Sequence, residues 1–136
     1  MIRILLGISA VFAWLFVAIS CQHPYAQGER LYETHCASCH MSDGKGLAAL
    51  YPPLAGSDYL KKHAKRLPCI IRHGLSDTIS VNGTVYEMPM EGIKSLNETE
   101  ITNICNYIFQ AWGNDLGTTN LPETNQTLQS CGVDDK

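Results

Sequence analysis

Five consecutive residues, Cys36-Ala37-Ser38-Cys39-His40, restrict what this chain can fold into more than any other stretch. Cysteines three apart fall on neighbouring positions of one helical turn, so both sulfurs reach the same edge of a flat macrocycle. The imidazole that follows is then carried beneath its centre. C-x-x-C-H is the attachment pattern of a c-type haem, in which two thiols add to the porphyrin vinyl groups and the histidine ligates iron. Two other readings of C-x-x-C exist, a redox dithiol and half of a zinc site. Zinc needs a second closely spaced ligand pair, and Cys69, Cys105 and Cys131 are scattered singly. A redox dithiol belongs in a βαβ pattern, which is not visible here. Cys36 and Cys39 are therefore read as haem attachment points and His40 as an axial ligand.

At 136 residues the chain is one domain with appendages, and a covalent haem supplies apolar bulk that a short core lacks. Ten basic against 13 acidic side chains give a formal charge of −3. Without residues 1–20, which hold only Arg3, the balance becomes nine against 13, or −4. Nothing resembles a basic stripe, which argues against nucleic acid as a partner. Six cysteines divide into the haem pair, Cys21 after the leader, and three others that allow at most one intramolecular disulfide.

Residues 1–20 read as an export signal, with Arg3 ahead of an apolar run from Ile4 to Ile19. Ala18-Ile19-Ser20 suits a general signal peptidase cutting before Cys21. The same segment followed by Cys21 suits a bacterial lipobox, in which that cysteine carries lipid; Ala18 stands where leucine is usual. An uncleaved anchor is the third reading. All three place the domain outside the cytoplasm, and the lipoprotein is preferred. The expected location is thus the periplasmic side of a bacterial membrane, with residues 21–27 as a tether.

The segment Gly28 to His35 reads as the first helix, and Gly28 either starts it or admits another backbone. Met41-Ser42-Asp43-Gly44-Lys45-Gly46 is a loop by composition, and Met41 adjoins His40 too closely to ligate the other face of a porphyrin. Tyr51-Pro52-Pro53-Leu54 makes a rigid turn. Lys61, Lys62, Lys65 and Arg66 form a basic stretch read chiefly as a solvated face, with docking of an acidic partner as the alternative. His63, among them, is read as exposed. Leu67 to Leu75 reads as a short helix with Pro68 in its first turn and Gly74 as its stop. Asn82-Gly83 between Ile79-Ser80-Val81 and Thr84-Val85-Tyr86 signals a hairpin, with no larger sheet expected. Asn97 and Glu100 suit a capping box before an amphipathic helix with Ile101, Ile104, Cys105 and Ile108 on one face, ended by Gly113. The remaining stretch is polar, and Pro122 can open one short helix.

Taken together, residues 28–113 resemble the class I, mitochondrial-type cytochromes c, in particular their small bacterial forms. Gly28 and Tyr32 fall where that family has a glycine and an aromatic on its first helix, and Ile104, Tyr107 and Ile108 match the terminal helix that crosses there. The resemblance implies an all-α fold of three to four helices wrapped around one covalent haem, here with a small hairpin. It also implies that Pro52 accepts a hydrogen bond from the proximal histidine, that Leu54 packs on the haem, and that Met88 is the distal ligand. Met90 is a competing thioether. Residues 114–136 exceed the minimal domain and are expected to cover part of it. A Cys69–Cys131 disulfide is slightly preferred for tying them down, with Cys69–Cys105 nearly equal.

The resemblance implies a monohaem electron carrier, not an enzyme, exchanging single electrons with redox protein partners and taking no small-molecule substrate. The alternatives are a haem subunit of a larger periplasmic oxidoreductase, a haem-based ligand sensor or weak peroxidase if the methionine is displaced, and a haem-free lipoprotein.

Overall fold

The computed structural model describes residues 23–132. The leader, the Cys21 lipid site and the start of the tether lie outside the described residues. Ala26 and Gln27, assigned to the tether by sequence, are the first residues of helix α1 (Ala26–His35). The chain bends at Cys36 into the four-residue α2 (Ala37–His40). After a long loop come α3 (Asp58–His63), a 3-10 turn (Ala64–Arg66) and α4 (Leu67–His73). Helices α5 (Glu98–Gln110) and α6 (Leu121–Ser130) complete the set. Among the described residues there are thus six α-helical segments, against the expected three to four. The surplus arises because the first helix is broken at the haem motif, the middle one is split by a 3-10 turn, and the tail adds its own.

Helix α1 packs more extensively on α5 than on any other element. Gly28 makes that crossing possible, because a Cβ there would collide with the Asn103 carbonyl oxygen and with Tyr107 Cβ. Tyr32, Ile101 and Ile104 are fully buried where the two helices meet. Their burial, with that of Ile108, Leu67 and Ile71, forms the core that supports the cleft. Asn97 caps α5, accepting from the Glu100 backbone N–H at 3.0 Å while the Glu100 carboxylate accepts from the Asn97 N–H at 2.8 Å. The helix ends at Gln110, three residues before Gly113, and a 3-10 turn fills the interval.

The β-structure is small but is not one hairpin. Strands β2 (Ile79–Val81) and β3 (Thr84–Tyr86) pair antiparallel around Asn82-Gly83. A second two-residue ladder joins β1 (Gly74–Leu75) to β4 (Met90–Glu91), a pairing with no local signal because its strands lie far apart in sequence. Helix α6 carries a second capping box, Asn120 with Glu123, and docks on α5 through a buried Thr102–Thr124 hydroxyl contact of 2.9 Å. A disulfide links Cys69 in α4 to Cys131 just after α6, and among the described residues Cys36, Cys39 and Cys105 remain as thiols. Among the described residues no helix is long and apolar enough to cross a membrane.

Candidate haem site

The haem motif occupies the bend between α1 and α2 because Cys36 cannot continue the first helix. Its backbone lies at φ −120° and ψ −35°, and its N–H still caps Tyr32 at 2.8 Å. This places the Cys36 and Cys39 sulfurs and the His40 ring along one cleft of about 660 Å³. The volume is within the roughly 300–1,000 Å³ usual for cofactor pockets.

His40 is 9% exposed, and its Nδ1 lies 3.0 Å from the Pro52 carbonyl oxygen. With that nitrogen donating, Nε2 is left with a free lone pair, the form in which imidazole binds a metal. Burial lowers the proton affinity of the ring, and the Pro52 contact partly opposes this. The Pro52 carbonyl is itself fixed by the returning loop. Leu54 and Ala55 N–H groups donate to Gly44 O at 2.7 and 2.9 Å, and the Gly46 N–H donates to His40 O at 3.0 Å. Gly46 must be glycine-like, because its φ is +69° and a Cβ would meet the Tyr51 and Pro52 carbonyls. Leu54 is half-buried on the cleft wall.

A cluster of three aromatics braces this side. Tyr32, Tyr107 and Trp112 lie with ring centroids 5.0 to 5.4 Å apart. The Tyr32 hydroxyl donates to Met41 O at 2.7 Å and Trp112 Nε1 to Ser42 O at 3.0 Å, both just past the histidine. Trp112 holds a left-handed backbone, φ 54°, which a bulky residue adopts only under constraint.

The remaining cleft wall brings in Met88, Pro89, Met90 and Ile93, with Ile70 and Ile71 of α4. Met88 sits in a bend and is 50% exposed, whereas Met90 is half-buried and its backbone is paired with Leu75. Both thioethers nevertheless line the cleft.

The free Cys36 thiol is pushed up to about 12 by burial and, less so, by Cys39. Burial also raises Cys105, a buried thiol within the core. Among the described residues no three His, Cys, Asp or Glu side chains converge, so a zinc site finds no ligand set.

Two features differ from the sequence reading. His63 is half-buried, stacks on Tyr59 at 4.3 Å and lines the cleft, although the lysines beside it suggest exposure. Its helix also carries exposed Lys61 and Lys62, with exposed Lys65 in the turn beyond; none of the three lines the cleft. Asn114 carries no sequence signal at all. Its amide donates to Leu54 O at 3.1 Å and Ile108 O at 2.9 Å, and its Oδ1 accepts from Gly56 N at 2.9 Å. It pins the Leu54 turn to the end of α5.

Two thiols, an oriented imidazole and thioethers around one apolar cleft define a pocket for covalently held haem. A profile of the cytochrome c family matches residues 25–112, and the chain belongs to that family, as a class I monohaem member. Membership brings a covalently bound haem c with its iron. The chain is 36% identical over 92 residues to cytochrome c-552 of Thermus thermophilus, spanning 65% of this chain and 70% of that protein. A second cytochrome c-552 of that species is equally similar, with 62% of its length matched. The cytochrome c subunit of a quinone alcohol dehydrogenase from Gluconacetobacter polyoxogenes is 34% identical over 114 residues, covering 77% of this chain and 24% of that subunit. A fructose dehydrogenase cytochrome subunit from Gluconobacter japonicus is 31% identical over 105 residues, 73% of this chain and 21% of that subunit.

Proposed function

We propose that this chain is a single-electron carrier of the bacterial periplasm, not an enzyme, with haem joined to Cys36 and Cys39 and iron held between His40 and Met88. The observation that carries this reading is the 3.0 Å contact between His40 Nδ1 and Pro52 O, which orients a buried imidazole in the cleft that both thiols line. The haem supplies an iron that cycles between ferric and ferrous states, and a thioether ligand favours the ferrous one. The protein's part would be to offer His40 and a thioether to the iron and to exclude water with the apolar wall of the cleft. Met88 is favoured over Met90 because its bend leaves it free to turn, while Met90 is held in a ladder. The lipid on Cys21 would tether the carrier to the membrane, and the lysines of α3 would meet an acidic surface on a redox partner.

A ferric absorption spectrum of the matured protein tests the ligand set. A weak far-red sulfur-to-iron band, lost in Met88→Ala and kept in Met90→Ala, is the expected result. A high-spin spectrum without the band would overturn the closed carrier and favour a ligand sensor or weak peroxidase. The dehydrogenase-subunit relatives favour a second reading, a haem subunit fixed in a larger oxidoreductase. Sedimentation of the protein from its native membrane extract as a single chain, not in a complex, would remove it.

A further inference from the structure

We infer that the Cys69–Cys131 disulfide is a positioning device for the thioether ligand, holding the Met88–Met90 segment in place through α4 and the β1–β4 ladder. The inference rests on the reading that a methionine is the second axial ligand.

The tail is a fixed body. Helix α6 is locked to α5 by the buried Thr102–Thr124 contact, and Asn106 exchanges two hydrogen bonds with the Thr119 backbone, at 2.8 and 3.0 Å. The bridge transfers that fixity to Cys69, 62 residues earlier, in the first turn of α4. Helix α4 has only seven residues, too short to be stable by itself, and its Leu67, Ile70 and Ile71 line the cleft. It runs straight into β1, whose Gly74 and Leu75 pair with Glu91 and Met90. Ile93 N–H then donates to Ile71 O at 2.8 Å, so the methionine segment is attached to α4 on both sides of β4. Between bridge and thioether lie one short helix and one two-residue ladder. A ladder of that size has little stability of its own, so the segment depends on α4, which is held by the bridged tail together with its packing on α5 and the Arg72–Glu98 pair.

Both cysteines are half-buried and so within reach of a thiol reductant. A dithiol donates two electrons and two protons, cleaving the S–S bond to two thiols while becoming a disulfide itself. Opening the bridge releases one end of α4 and raises the fraction of molecules whose thioether is off the iron. An added iron ligand reports that fraction directly, because its apparent affinity scales with the population of the open form.

The experiment is an imidazole titration of the ferric holoprotein at fixed pH, as wild type, Cys69→Ser and Cys131→Ser. Wild type is also tested after dithiol reduction, capping of the thiols with N-ethylmaleimide and reoxidation of the iron with ferricyanide. The chemically opened sample starts from folded protein, so it remains informative if a serine variant does not mature. Asn120→Ala weakens the tail helix with the bridge still closed, and so measures the tail's share. The expected result is roughly tenfold tighter imidazole binding in every bridge-opened form and a smaller tightening in Asn120→Ala. Unchanged affinity in the opened forms, with the far-red band still present, overturns the inference alone. Absence of that band in wild type overturns the thioether reading and this inference with it.

Discussion

The two sides of the cleft are built differently. The histidine side is held by a long helix crossing, a returning loop with three backbone hydrogen bonds and a cluster of three aromatic rings. The methionine side is a bend and a two-residue ladder, with Met88 half in solvent. One side has many mutually supporting contacts, and the other has a few in series. The difference teaches where rigidity lies: the cysteines and the imidazole sit on closely packed elements, whereas the proposed second ligand sits on a segment with few contacts, the kind that opens at lower cost.

The sharpest way to break this comparison is Gly28→Val. Its side chain would enter the Asn103 carbonyl, which cannot yield without separating α1 from α5. A loss of about 3 kcal/mol is expected, read as a fall in melting temperature and in haem-loaded yield. Trp112→Ala should come next, at about 2 kcal/mol in chemical denaturation, since it removes two ring contacts and the bond to Ser42 O.

Acid tests the histidine side in another way. Burial lowers the His40 value below its ordinary 6.5, so the unfolded chain binds a proton that the folded one refuses. Stability from this group is complete above 6.5 and falls as the pH drops below it, by at most about 1.4 kcal/mol per pH unit. Denaturant midpoints of the haem-free protein at neutral and acid pH check the sign, because iron on Nε2 would take the proton's place. The smallest effect belongs to the methionine side. Met90→Leu should cost less than about 1.5 kcal/mol and retain the far-red band. Loss of the band there would move the ligand from Met88 to Met90.

Much of the histidine side is legible in the residues. C-x-x-C-H, the Asn97–Glu100 box and the Asn82-Gly83 turn are short-range signals whose geometry is decided within a few positions. Gly28 can be read as a close approach, though only the structure identifies the Asn103 carbonyl as what approaches. The β1–β4 ladder is not legible, because Leu75 and Met90 have no pattern that pairs them across 15 residues. His63 misleads because its neighbours in sequence are cationic, whereas its neighbours in space are Tyr59 and the cleft. The Asn120–Glu123 box has a local signal in Asn-x-Pro-Glu, of which the sequence reading used only Pro122. Asn114 offers no signal, since two of its three backbone partners, Gly56 N and Leu54 O, lie in a distant segment, and only Ile108 O is near it in sequence.

The burial of Cys36 has a consequence for biogenesis. Once α1 and α5 have crossed, this thiol is 8% exposed and, at about 12, almost wholly un-ionised near neutral pH. A porphyrin arriving then would meet a sulfur that opens only onto the cleft and is held almost wholly as the thiol. The same sulfur is more exposed and more readily ionised before the crossing, which joins segments about 70 residues apart, has closed.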